Sequence, residues 1–499
     1  VIVAATTAGH ALLRLGLLVD AGFAAAALVS RGRPRRIAVG GALLLSPVLL
    51  AAALWKSTQV LHLRHHPALA VAGIVVALAL VAMLAPAARR RPAAVALAAV
   101  VALPFRFSII SGGTGGVLLL LYAVIAAGAV ALAVWDDPGE EPAIGWLERA
   151  LAAFVVIYAL QALYTPDPAR AAESICFFYA PFALLFVLLR RVRWERALIA
   201  RAAAVVLALV AVFVAVALVE YAARRLLFHP ALNANQRYFR VNSLFYDPNI
   251  FGRFVALAMV GVAAAMMWES SRRRVLLAAV VLALLWLGLA VSVSQSSVVA
   301  LLAGVAVIAA ARFPPRLVAA AVVLVLALVA VVAVADRGSL HLNLSDTSAA
   351  NNTTGGRASL VKEGLNLFAA RPLQGFGSAS FSCEYLRHSR GTHAYACGSA
   401  TPAGVTSESH TTPVTIAAEQ GVIGLLAYLA LLLAAAATLA RGGLRHRPVR
   451  VALLAAFVAL VVHTWAYADF LEDPITWALL AVGAVLARER PTARADRAP

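Results

Sequence analysis

Charge is scarce in this chain. Asp, Glu, Lys and Arg make up only 13% of its 499 residues, while 63% are hydrophobic. A soluble domain of that length has no means of covering so much apolar surface, so a water-soluble globular protein is excluded. Segments of about ten alternating residues are missing as well, which argues against an outer-membrane barrel. The chain has no Gly-x-x-x-x-Gly-Lys-Ser/Thr loop, so it carries no built-in ATPase of that type. It has no Cys-x-x-Cys pair and no His-Glu-x-x-His, and its polar blocks hold no acidic cluster suited to a divalent ion. No metal site and no cofactor are therefore expected. Cysteine is nearly absent, with only Cys176, Cys383 and Cys397.

What the chain has in abundance is long apolar runs. Each is of roughly the 17–25 residues that cross a bilayer as a helix. They fall at about 9–29, 37–55, 69–87, 93–111, 117–134, 147–164, 173–190, 198–221, 251–268, 275–291, 295–311, 317–335, 415–439, 451–468 and 474–487. The expected fold is an all-α polytopic membrane protein with about 12–15 transmembrane helices. The first run is followed by Arg31 and Arg33 and reads as a membrane helix, not a cleaved signal segment, although the chain does not begin with Met. Arginine clusters at 31–36, 89–91, 190–201, 272–274, 312–316, 441–450 and 488–496 share one side if every run crosses once, which makes that side cytoplasmic. The net charge of +19 would suggest nucleic acid in a soluble protein. Here it follows the positive-inside bias, so the expected partners are membrane lipids and not nucleic acid.

Four regions follow: N-terminal membrane helices (1–221), central membrane helices (222–335), a large extracytoplasmic loop domain with short helices (336–414), and C-terminal membrane helices with a basic tail (415–499). In the loop domain, 345–356 reads as irregular, 357–368 as an amphipathic helix and 378–409 as loop. Cys383 and Cys397 lie in it and would pair in an oxidising compartment or stay as two thiols. Cys176 reads as inert. Asp469, Glu472 and Asp473 read as a solvated acidic loop.

Chemistry gathers where polar blocks run into membrane helices. Arg240 and Arg357 sit in the two outer blocks, near helix starts. A guanidinium fork holds phosphate oxygens bidentately and stays charged at any working pH. That suits a pyrophosphate group at the membrane surface, or equally a lipid headgroup or a loop ion pair. His410 precedes the helix at 415–439 and suits proton transfer from an attacking hydroxyl, with Glu408 or Glu419 to orient it. A helix cap is the plainer alternative for it. Asp247-Pro248-Asn249 is a helix start, and such an end can also bind an anion.

Arg240-Val241-Asn242-Ser243-Leu244-Phe245-Tyr246-Asp247-Pro248-Asn249, Ser294-Gln295-Ser296, Arg357 through Arg371-Pro372-Leu373-Gln374-Gly375-Phe376-Gly377, and His410 followed by Glu419-Gln420-Gly421 occur in that order. Together they resemble the O-antigen ligase / O-antigen polymerase family of bacterial envelope proteins. The resemblance covers roughly 240–430. It implies a membrane glycosyltransferase of the lipid-donor (GT-C) type in the bacterial inner membrane. The donor would be a glycan on polyprenyl (undecaprenyl) diphosphate and the acceptor a hydroxyl on another glycan or glycolipid, with inversion and without a metal. By the same resemblance Arg240 and Arg357 hold the diphosphate and His410 activates the acceptor. Two departures stand out. Gln295 occupies a turn where arginine is usual, leaving Arg253 or Arg237 as substitutes, and Thr411 replaces the usual Asn. A transporter of lipid-linked sugar is the reading from another class. It calls for an inverted repeat and broken helices at mid-membrane, neither of which the sequence offers.

Overall fold

The computed structural model describes residues 7–55, 57–105, 107–108, 116–135, 143–228, 239–320, 323, 357–389, 397, 408–445, 447–468 and 470–488. Outside them lie most of the expected helix at 317–335, the irregular stretch 345–356, the acidic loop 136–141, Arg237, Asp469 and the basic tail from 489.

The chain is an all-α membrane protein. Its helices are α1 (Thr7–Val29), α2 (Gly32–Ala53), α3 (Thr58–His65), α4 (Pro67–Arg90), α5 (Pro92–Ala102), α6 (Leu119–Val134), α7 (Trp146–Gln161), α8 (Pro168–Ala172), α9 (Ala180–Arg190) and α10 (Arg196–Ala223). They continue with α11 (Pro248–Met267), α12 (Arg272–Ser292), α13 (Gln295–Arg312), α14 (Arg357–Ala370), α15 (Phe381–Ser389), α16 (Thr412–Ala440), α17 (Pro448–Trp465) and α18 (Pro474–Leu486). A π-helical turn, Glu173–Tyr179, joins α8 to α9 into one continuous span. Among the described residues ten spans are long and apolar enough to cross a membrane, and α5, α6 and α18 are shorter apolar helices.

The ends of the helices follow from local chemistry. Proline opens α4, α5, α11, α17 and α18, where a missing N–H costs nothing and φ is already helical. Asp247 and Asp473 cap α11 and α18 through the amides of Asn249 and Ile475. At the opposite pole Glu148, fully buried at the start of α7, meets Arg190 at 3.2 Å and Arg488 at 2.7 Å. Within the span α1, Asp20 accepts the Ser46 hydroxyl at 2.8 Å and lies beside the free, buried Cys176.

Two apolar cores organise the bundle. The larger joins α1, α2, α6, α7 and α9 to α16 and α18. The second joins α10, α11, α12 and α13 to α17. The C-terminal helices thus divide between the two cores. Around α4 the helix surface is exposed apolar side chain, Leu69, Val71, Ile74 and Leu78 among them, as a lipid-facing helix requires.

Three expectations need correction. The helix expected at 93–111 stops at Ala102, and a two-residue antiparallel pair, β1 (Phe107–Ser108) with β2 (Gly116–Val117), follows. The apolar run continues through Pro104, but proline has no N–H to extend the helical ladder and the helix ends just before it. Second, the stretch 378–409 is not all loop, because α15 forms there on a side-chain cap from a distant helix, described below. Third, Asp473 is not solvated. It is buried and pairs with Arg253 at 2.9 Å.

Candidate active site

Arg240 arrives on a loop pinned from below. Glu220, buried near the end of α10, accepts the amides of Ser243 and Leu227, both at 2.9 Å. Ser243 adopts φ +53° and donates its hydroxyl to the Phe213 carbonyl. These bonds fix the loop between α10 and α11. Arg240 then donates to the Ser292 carbonyl at 3.1 Å and to the Asn249 side-chain oxygen at 3.0 Å. Both acceptors are neutral, so they orient the guanidinium without cancelling its charge. Burial lowers the Arg240 pKa from its ordinary value, the Asp247 carboxylate raises it, and Arg357 lowers it again. The two guanidinium groups therefore share one electrostatic neighbourhood.

The serine turn between α12 and α13 continues this network. Ser294 donates to the same Asn249 oxygen at 3.0 Å and lies 2.7 Å from the Ser297 hydroxyl. Ser296 and Ser297 reach the His463 ring at 3.3 and 3.2 Å. Gln295 is exposed while its serine neighbours are buried. The turn thus supports Arg240 through its serines, and Gln295 stands outside the network. Arg253, considered as the replacement cation, is spent in its ion pair with Asp473 and in a 3.3 Å bond to the Ala468 carbonyl.

Tyr467, two residues past α17, is where the site converges. Its ring lies 5.5 Å from the His410 ring, 5.7 Å from the His463 ring and 5.7 Å from the Arg357 guanidinium. Arg357, the first residue of α14, donates to the Ala466 carbonyl at 3.1 Å. His410 is held at φ +56°, a backbone state costing of order 1–3 kcal/mol for a non-glycine residue. The flanking turn holds it there. Ser409 bonds Thr411 and Thr415, and Thr412 donates to the Thr464 carbonyl at 3.0 Å. The strained residue thus sits at the tip of a turn clamped to α17.

The Pro-Leu-x-Gly and Glu-x-Gly segments turn out to be one interlocked structure. Gly377 donates to the Glu419 carbonyl at 2.8 Å, and Val422 donates to the Pro372 carbonyl at 2.8 Å. Gly375 (φ +67°) and Gly421 (φ +63°) face each other's strand of backbone. A Cβ at 375 would land on the Glu419 carbonyl, and one at 421 on the Leu373 carbonyl. Only glycine satisfies both the left-handed φ and the close approach. The Glu419 carboxylate accepts the amides of Ala379 and Phe381, each at 2.9 Å. It therefore caps the start of α15, and this overturns its expected use in orienting His410. Its oxygens are committed to the loop. Cys383 on α15 is disulfide-bonded to Cys397, with Cα atoms 5.5 Å apart.

A cavity of about 250 Å³ opens against the turn that carries His410. Glu408 and Thr412, which bracket His410 in sequence, line it together with Arg170, Glu173 and Glu472. Aromatic side chains from α7, α9's leading π turn and α16 form its walls, among them Phe154, Tyr158, Tyr179 and Tyr428.

The structure thus brings Arg240, Arg357, His410, Asn249 and Asp247 to one end of the bundle. It places Glu408 in the adjoining cavity and Glu419 in the loop scaffold. Sequence reading missed Tyr467, His463 and the buried serines. The available signal was His463 inside an apolar run, since an ionisable residue there marks function by default. Tyr467 follows four residues later, one helical turn on.

Residues 280–429 match the model of the O-antigen ligase family. This segment is similar to that family, of ligase or polymerase type, and it carries Gln295, Arg357, Glu408, His410 and Glu419. Arg240, Asn249 and Tyr467 lie outside it. No curated protein matches the chain.

Proposed function

We propose that this protein is a membrane glycosyltransferase that moves a glycan from a polyprenyl diphosphate to an acceptor hydroxyl at the extracytoplasmic face. The observation that carries this reading is the convergence of Arg357 and His410 on Tyr467, at the same end of the bundle as Arg240.

The chemistry follows from those groups. The acceptor oxygen attacks the anomeric carbon as the bond from that carbon to the diphosphate oxygen breaks. Negative charge builds on the leaving diphosphate, and Arg240 and Arg357 stabilise it as pre-oriented cations. His410 takes the proton from the attacking hydroxyl. A single displacement inverts the anomeric centre. Two fixed guanidinium groups fill the role that a divalent ion would otherwise play, so the reading includes metal independence. Support for the extracytoplasmic side comes from the Cys383–Cys397 disulfide and from arginines at the far ends of the spans, such as Arg90, Arg190 and Arg312. Ligase and polymerase share this arrangement and differ in the acceptor.

The test is transfer by purified protein from a polyprenyl-diphosphate-linked glycan in the presence of EDTA. Release of polyprenyl diphosphate by the wild type, lost in Arg240→Ala, Arg357→Ala and His410→Ala, is the expected result. Movement of intact donor across liposomes, with no bond cleavage and no effect of His410→Ala, would replace the reading with that of a transporter.

A further inference from the structure

The cavity against the turn that carries His410 has the wrong sign for the donor. Four carboxylates line it, from Glu173, Glu408, Glu419 and Glu472, against one guanidinium, that of Arg170. A diphosphate at that place would meet repulsion from several of them, whereas the Arg240–Arg357 side attracts it. The cavity and the Arg240–Arg357 side are thus electrostatically opposite.

Its lining is also rich in acceptors, set among the hydroxyls of Tyr158, Tyr179, Tyr428, Ser174, Thr412 and Thr415. Glu472 accepts from Ser174 at 3.1 Å, and Glu419 is committed to the Ala379 and Phe381 amides. Gln420, almost fully buried and part of the same lining, has a side-chain carbonyl oxygen with no hydrogen-bond partner among the described residues. A buried carbonyl of that kind is costly unless a ligand or solvent donates to it. No group of three His, Cys, Asp or Glu side chains converges as a metal would need, among the described residues. The walls are aromatic, and the volume, about 250 Å³, falls below the roughly 300–1,000 Å³ of drug-sized sites. That space suits a single ring. One wall is the π-helical turn, which contributes Glu173, Ser174 and Tyr179. Such turns are an uncommon way to re-aim side chains and recur at functional sites.

We infer that this cavity is the acceptor subsite, and that it selects a sugar ring that is uncharged or carries an amine, against rings bearing a carboxylate or phosphate. This rests on the transferase reading above. The sugar's hydroxyl or ammonium donors meet the carboxylates and the Gln420 carbonyl. Its C–H faces lie on the aromatic walls, as sugars stack on such rings. Glu408 and Thr412, which flank His410 in the chain, bring the ring to the turn that carries the imidazole. The N-terminal helices then do more than scaffold, because α7, α8 and the π turn build one side of the acceptor site.

The experiment uses the full-length protein in detergent micelles and three probes: methyl glucoside, methyl glucosaminide and methyl glucuronide. Binding is read by saturation-transfer NMR. The wild type is expected to bind the glucosaminide and glucoside and to bind the glucuronide at least about tenfold more weakly. Glu472→Gln and Glu408→Gln should each narrow that gap several-fold, and Arg170→Gln should widen it. Equal binding of the three probes to the wild type overturns the inference without reliance on any variant. So does a gap unchanged in both Glu→Gln variants. Donor cleavage is measured in parallel. Cleavage with no probe preference removes the cavity assignment and leaves the transferase. The stated preference with no cleavage upholds a sugar site and overturns the transfer reading.

Discussion

Two sets of arginines in this protein are used in opposite ways. Arg253 and Arg190 are deeply buried, and each faces a carboxylate, Asp473 and Glu148 respectively. Arg240 and Arg357 are only partly buried, and their hydrogen bonds go to neutral acceptors, namely the carbonyls of Ser292 and Ala466 and the side chain of Asn249. A carboxylate partner fixes an arginine and cancels its charge. A carbonyl fixes it and leaves the charge for something else. The first set therefore ties helices together, and the second is equipped to receive an anion.

This contrast can be broken most forcefully at the second set. Arg240→Ala and Arg357→Ala should each lower kcat for transfer by about 10²–10³-fold, as expected for loss of one charged contact in the transition state. Thermal unfolding in detergent should change little. Arg357→Lys keeps the charge but loses the fork, and should recover only part of the rate. At the first set the pattern inverts. Arg253→Met strands a buried carboxylate and should cost about 3–5 kcal/mol of stability. Adding Asp473→Asn should restore much of it, because the amide removes the stranded charge and keeps the cap on Ile475. A double variant that folds but has lost transfer would show that Arg253 belongs with the anion-binding set after all.

Smaller effects sharpen the picture of the supports. Gly375→Ala forces a side chain against the Glu419 carbonyl at positive φ and should cost about 2–4 kcal/mol, read by thermal unfolding. Tyr467→Phe keeps the ring that touches His410, His463 and Arg357, and should alter kcat by less than about threefold. Tyr467→Ala removes that ring and should cost more. Gln295→Ala, at an exposed position, should leave both rate and stability within about 0.5 kcal/mol of the parent.

Much of this was legible in the sequence, for reasons that differ by element. Apolar runs and arginine clusters report the membrane helices directly, because lipid leaves so few alternatives. Arg240, Arg357 and His410 stood out as polar residues placed where helices begin. What was not legible was pairing over long sequence distances. Glu419 looked like a partner for His410 because it lies two to three turns into the helix that His410 precedes, yet its carboxylate turns to amides some forty residues earlier. Asp473 looked solvated because its neighbours are acidic, yet Arg253 reaches it from α11. The Ser294–Ser297 turn drew attention for the arginine it lacks, and its buried serines, which reach His463 on another helix, passed unnoticed. Local pattern gives elements and their ends; it does not give which distant atoms share a hydrogen bond.

The central claim is that His410 acts on the acceptor proton and not on donor binding. It is tested most directly by single-turnover transfer with His410→Ala, alongside a separate measurement of donor binding. The account predicts wild-type affinity for the polyprenyl diphosphate donor and a transfer rate lower by about 10²–10⁴-fold. Transfer at the wild-type rate, or a loss explained entirely by weaker donor binding, would contradict it.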